Sequence, residues 1–224
     1  AWIGEHHSAG YEIIASPEIF IAAAAERTRH IRLGTGVVSL PYHNPLMVAE
    51  RINQLDHMTR GRVMLGVGPG SLQSDARMLG LEPTRQRAMM EESLEVIVRL
   101  LRGETVSETR EWFELNEARL HLDPYSDPHV ELAVASQVSP AGARMAGRFG
   151  LGLLSVGATT QGGFNALAAN FDVYSNECEK HGNPVNRDGW RLVGPMHIAE
   201  TREQARKNVM FGFEDWLFYF QKVA

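Results

Sequence analysis

Six times along this chain a short apolar run gives way, after a polar turn, to a stretch with helical periodicity, and that repeated beat limits the folds open to it. The apolar runs are Trp2-Ile3-Gly4, then 31–38, 62–68, 130–135, 151–156 and 191–198, each read as a strand. Helix starts between them carry capping chemistry. Ser16-Pro17-Glu18, Asn44-Pro45 and Ser139-Pro140 each set a capping side chain before a proline, and Thr201-Arg202-Glu203-Gln204 has the spacing of a capping box. Val48, Ile52 and Leu55 form one helical stripe, and Met90, Leu94, Ile97 and Leu101 another, within a helix expected from Thr84 to Arg102 and stopped by Gly103. Gly150 closes the helix opened at Ser139-Pro140, and Gly182 stops one expected from Phe164 to Lys180. Consecutive parallel strands need a crossover of about a dozen residues, so the alternation dictates a parallel α/β fold.

Two parallel architectures compete. A doubly wound sheet concentrates its polar chemistry in one glycine-rich loop, whereas a (β/α)8 barrel spreads it over the C-terminal ends of many strands. Here Glu5-His6-His7, Thr35-Gly36, Gly68-Pro69-Gly70 and Ser136 to Ser139 all lie at or just past such ends, so a single TIM-barrel domain over residues 1–224 is expected. A complete barrel takes roughly 250 residues, and six strands with a start inside an apolar run point to strands two to seven of a longer protein, the first and last missing. Between Gly103 and His129 the beat breaks; "EWFELNEARLHL" alternates at period two and predicts a short hairpin.

Charge narrows the partners. With 22 basic and 27 acidic residues, a net charge of -5 and no run of like charges, no nucleic-acid or membrane surface is expected. The single cysteine, Cys178, excludes an internal disulfide and favours a cytoplasmic, reducing location. No segment reads as a membrane span or signal peptide.

The titratable cluster has three readings: a metal site, structural histidines, or a general acid/base at the barrel mouth. Neighbours on a strand point to opposite faces, so His6 and His7 could not both ligate from regular strand geometry, and no metal is expected. Imidazole titrates near neutrality, which suits an acid/base. His43, in Tyr42-His43-Asn44-Pro45 after the second strand, falls on the same rim as His6. Gly66-Val67-Gly68-Pro69-Gly70 lacks the dinucleotide spacing, and its glycines read instead as a close approach to something flat. Ser136-Gln137-Val138-Ser139-Pro140-Ala141-Gly142 puts hydroxyls and free N–H groups at a helix N-terminus, a place for a phosphate, although a plain cap accounts for Ser139 equally well.

"GEHHS", "IRLGTGVVSLPYHNPLMVAERINQLDHMTRGRVMLGVGPG" and "VASQVSPAGARMAGRFGLGLLSVG", in this order, resemble the bacterial luciferase-like flavin monooxygenases, within them the limonene monooxygenase-like members, over essentially the whole chain. The resemblance implies a flavin-dependent monooxygenase in which reduced FMN, supplied by a separate flavin reductase, meets O2. A C4a-hydroperoxide then oxygenates a small apolar, terpene-like substrate. It implies that His6 is the catalytic acid/base, with His43 beside it and Glu5 and His7 shaping the pocket, and that a non-prolyl cis peptide falls on Gly36-Val37. Gly68 would lie near the flavin ring, where luciferase has a reactive cysteine. Luciferase has a phosphate-binding arginine at the place of Pro69, so the phosphate should rest on Ser136, Ser139, Ala141 and Gly142. A homodimer packed through the Ala22–Ala25 helix is implied as well. The same barrel serves deazaflavin F420-dependent oxidoreductases, and a flavin-binding subunit without catalysis is a third reading.

Overall fold

The computed structural model describes residues 1–10, 13–157, 160–194, 196–219 and 221. Strand β1 (Trp2–Ile3) is followed by helix α1 (Pro17–Arg27), and β2 (Leu33–Thr35) and β3 (Val38–Ser39) by α2 (Pro45–Thr59). Next come β4 (Val63–Gly68), the short α3 (Gln73–Met78) and α4 (Gln86–Leu101), then β5 (Val106–Thr109) and β6 (Glu114–Ala118). The chain continues through β7 (Glu131–Ser136), α5 (Ala141–Phe149), β8 (Gly152–Val156), α6 (Gln161–Lys180), β9 (Trp190–Val193) and α7 (Arg202–Phe218).

The main sheet runs β1-β2-β4-β7-β8-β9, with β3 also on β4, and every pairing in it is parallel. Sequential order, parallel pairing and a helix after each strand make this six strands of a (β/α)8 barrel, as the alternation predicts. The interruption between β2 and β3 is the one departure within a strand: 31–38 is read as continuous, but the chain breaks at a cis Gly36-Val37 peptide before rejoining β4 at Val38 opposite Val67. The last expected strand, 191–198, ends at Val193, and Met196 and Ile198 are exposed. Pairing of β5 with β6 confirms the hairpin, but Leu120-His121-Leu122 lies outside it. Ile21, Ile52, Leu65, Leu94, Ile97 and Leu153, all essentially inaccessible, join one continuous core between sheet and helices.

Helix starts follow the capping chemistry. Ser16 accepts from the Ile19 N–H, Asn44 from Leu46, and Thr201 from Gln204. The capping box is half made, because the Gln204 amide donates to Asn208 instead of turning back. Thr160 caps α6, which starts at Gln161, three residues before the expected start at Phe164.

The N-terminal ends of the strands are held by charge. Glu131, opening β7, meets Arg32 at 2.6 Å and Arg191 at 3.3 Å. Arg62, just before β4, donates to the Ala25, Ile31 and Thr59 carbonyls and to the Thr28 hydroxyl, gathering the C-terminal ends of α1 and α2 under the sheet. Higher up, the buried Thr35 hydroxyl donates to the Gly66 carbonyl at 2.7 Å and accepts from the Gly66 N–H at 3.0 Å, pinning β2 to β4 just before the cis peptide.

Cys178 is buried where α6 crosses α5, and burial pushes its thiol above the ordinary range, against a hydrogen bond with Tyr174 that lowers it. The reactive thiolate is thereby suppressed. A maleimide at pH 8 is accordingly expected to leave the native protein unmodified and to label it fully in denaturant; rapid labelling of the native protein would show that the α5–α6 contact opens. Among the described residues no helix is long and apolar enough to cross a membrane.

Candidate active site

All six parallel strands end on one side, and there a cavity of about 1090 Å³ opens. Glu5, His6, Gly36, Val37, Gly68, Ser136, Ser139, Ala141 and Gly142, singled out at four separate strand ends and the turns that follow them, all line it. Met90, Val138, Met145 and Val156 give it apolar lining, joined by Trp216 of α7 and by Tyr219 just past its end. His43 is not among the lining residues; it reaches the cavity through Glu5.

Glu5 is the hub of the buried polar cluster. One carboxylate oxygen accepts the Ser39 N–H at 2.6 Å, and the other meets His43 Nε2 at 2.7 Å and His7 Nε2 at 3.1 Å. Arg51, which can only donate, meets His43 Nδ1 at 3.5 Å and is itself paired with Glu18 at 3.1 Å. His43 Nδ1 is therefore an acceptor, and Nε2 carries the proton given to Glu5. Glu5 to His7 lies beyond β1 in non-strand backbone, so parity does not govern it, and His7 and His43 converge on one oxygen from two loops. Among the described residues no three of these groups are placed to hold a metal ion.

His6 turns to a different carboxylate. Its Nδ1 lies 3.5 Å from Asp75 on α3, a residue that sequence reasoning missed. Burial pushes the Tyr42 phenol above its ordinary range; a Gln86 hydrogen bond opposes this, and the charges of Asp75 and Glu5 add to it. Tyr42 stays a neutral donor or acceptor beside the two carboxylates, edge-on to the His7 ring at 5.8 Å between centroids.

At the other end of the cavity α5 begins. Ser139 accepts weakly from the Ala141 N–H at 3.4 Å, and Pro140 occupies the cap position. The following N–H groups therefore lack intrahelical acceptors, and they join the positive end of the helix macrodipole. Arg87, a cavity-lining residue of α4, brings its guanidinium to the Ser139 hydroxyl at 3.4 Å. It places a positive charge beside the start of α5, where Pro69 has none to offer. Its signal in the sequence was slight: a lone arginine on the polar side of a helix read for its apolar stripe. Gly142 matters for a steric reason, because a Cβ there would lie well inside contact distance of the Ala135 carbonyl oxygen. Gly142→Ala is expected to push α5 off β7 and lower stability by more than about 2 kcal/mol, read as a fall in the thermal midpoint with loss of any phosphate affinity; an unchanged midpoint would show that the helix start can shift freely.

Gly36 and Gly68 line the cavity without side chains, and a Cβ on Gly68 would lie 2.6 Å from a Val37 methyl. Bare backbone at these positions, the free N–H groups and Arg87 at the start of α5, and the apolar walls fit the ring and phosphate of FMN. The volume stands at the upper end of the roughly 300–1,000 Å³ usual for cofactor and ligand sites.

A family model described as luciferase-like monooxygenase matches residues 1–223. The chain is 49% identical over 223 residues to limonene 1,2-monooxygenase of Rhodococcus erythropolis, an alignment covering 100% of this chain and 57% of that protein. It is 50% identical over 221 residues to 4-hydroxyprotoasukamycin monooxygenase of Streptomyces nodosus subsp. asukaensis, covering 97% and 59% respectively. Among solved structures, the oxygenating constituent of 3,6-diketocamphane monooxygenase from Pseudomonas putida, a type II Baeyer-Villiger monooxygenase in complex with FMN, superposes with a TM-score of 0.83 at 25% identity, covering 98% of this chain and 64% of that one. The chain thus spans less than two thirds of the length of these relatives.

Proposed function

The chain belongs to the luciferase-like monooxygenase family, and from that premise we propose that the whole protein oxygenates a small apolar, terpene-like substrate, using O2 and reduced FMN held in this cavity. The observation that carries the reading is one cavity that joins a part-buried histidine–carboxylate cluster to a helix N-terminus with Arg87 on other elements. Arg87, Ser136, Ser139 and the N–H groups around Ala141 and Gly142 hold the phosphate. Gly36, Val37 and Gly68 lie against the ring. When bound, reduced FMN supplies the electrons that activate O2 for transfer of one oxygen atom.

The protein's own part is to bind, to stay dry and to place one proton. Met90, Met145 and Val156 give the cavity apolar walls that limit the water able to divert a reactive oxygen species. His6 holds and returns the proton that oxygen transfer requires. Glu5, fixed by Ser39, His43 and His7, keeps the wall beside it in place, so His43 acts through Glu5. Supply of the reduced flavin by a separate reductase is supported by the solved relative being the oxygenating constituent of its system. A homodimer contact on α1 would rest on the exposed Ile19 and Phe20 and not on the Ala22–Ala25 stretch expected for it, because Ala25 is buried and Ala22 and Ala24 pack against the core.

The test is oxygen incorporation. Whole protein mixed with chemically reduced FMN, ¹⁸O2 and limonene as probe is expected to give a product carrying one ¹⁸O atom. Failure of FMN to bind, together with tight binding of reduced deazaflavin and oxygen-independent hydride transfer, would overturn the assignment.

A further inference from the structure

We propose that the side-chain carbonyl of Gln86 recognises a hydroxyl of the polyol chain that joins the ring of the flavin to its phosphate. The proposal rests on a flavin occupying the cavity, whichever reaction it serves there. Gln86 is the first residue of α4, lines the cavity and is only 5% exposed. Its Nε2 donates to the Pro69 carbonyl at 2.9 Å and to the Tyr42 hydroxyl at 3.3 Å. A backbone carbonyl only accepts, so Pro69 fixes which end of the amide is the nitrogen. The turn after β4 closes around this contact. Gly70 has a φ of +82°, and a Cβ there would run into the Tyr42 hydroxyl and the Gln86 amide nitrogen.

With both N–H bonds of the amide engaged, the group is held against rotation and the direction of Oε1 is set. That oxygen meets no hydrogen-bond donor among the described residues, since both contacts of the side chain are made by Nε2. Nor is it sealed inside the protein, because the buried side-chain atoms without a partner are Ser93 Oγ and Arg110 Nε. The open space that Gln86 borders is the cavity. An acceptor held in this way weakens binding of any ligand that covers it without bringing a donor. Its place selects the donor. Pro69 follows Gly68, assigned to the ring, and Arg87 follows Gln86 and meets Ser139 at the place assigned to the phosphate. Gln86 therefore links the residues given to the two ends of the flavin, and between its ends a flavin carries a run of hydroxyls.

A binding cycle tests this without turnover. Affinities of the whole protein for reduced FMN and for its trideoxy analogue, with the same ring and phosphate on a chain that lacks the hydroxyls, are measured anaerobically by ultrafiltration. The parent protein is expected to prefer FMN by at least about fivefold. In Gln86→Met, which keeps the length of the side chain and removes the carbonyl, that preference should fall by at least about fivefold; Gln86→Leu takes its place if the first variant does not fold. Equal weakening of both ligands would mean that Gln86 only braces the turn after β4, and no preference in the parent would mean that the hydroxyls go unread; either result overturns the proposal. A parent that binds neither ligand overturns it together with the flavin reading. A preference that depends on Gln86, with no ¹⁸O in the product of the oxygenation assay, would overturn the function and leave this recognition standing.

Discussion

Replacing His6 with alanine in the whole protein is expected to lower oxygenation on the order of 10²-fold or more, while the affinity for reduced FMN changes by no more than a few-fold. The two halves of this expectation have separate causes. His6 is one ring in a cavity of about 1090 Å³ whose phosphate end lies on other elements, so its loss removes little binding surface. The proposed reaction needs a proton delivered at one place, and among the described residues neither neighbouring histidine is placed to take over. His43 is turned to Glu5 with Arg51 at its other nitrogen, and His7 spends Nε2 on the same carboxylate. Rapid mixing with O2 and product analysis give the first quantity, and a flavin titration gives the second. Full activity in His6→Ala would remove the acid/base role and favour a subunit that binds flavin without catalysing.

Glu5→Ala should be the most destabilising single change at the site. The Ser39 N–H, His43 Nε2 and His7 Nε2 would all lose one shared acceptor in a place where Glu5 is 4% exposed. Removing one member of such a buried network costs about 3–5 kcal/mol, which for a domain of this size lowers the thermal midpoint on the order of 10 °C. Glu5→Gln should fall between. Its oxygen can keep the Ser39 bond, but its amide would point a donor at His43, whose Nε2 already donates. A calorimetric series of the two variants checks the order, and equal midpoints for Glu5→Ala and the parent protein would mean that water replaces the carboxylate without loss.

The elements that carry periodicity or capping chemistry were legible in the sequence. Asn44 and Pro45 mark the start of α2, and the stripe from Met90 to Leu101 is the buried face of α4, because these signals are local. The lining of the candidate cavity was legible where a residue lies at a strand end, which is how nine positions at four strand ends fell on one cavity. What escaped was set by tertiary contact. The six residues of α3 have no side-chain cap and too few turns for a period, so Asp75 carried no signal. Arg87 meets Ser139 only because α4 is laid beside the start of α5. The break between β2 and β3 looked like continuous strand because apolar residues flank it on both sides.

The charged clasp under the sheet, with Arg62 gathering α1 and α2 and Glu131 between Arg32 and Arg191, lies at the opposite ends of the strands from every cavity-lining group. Changes well separated in space add nearly independently. The protein therefore offers an engineer two decoupled faces: its underside can be redesigned for heat tolerance by rewiring ion pairs, while the upper loops are varied to accept new substrates, and gains from the two campaigns should combine without mutual interference.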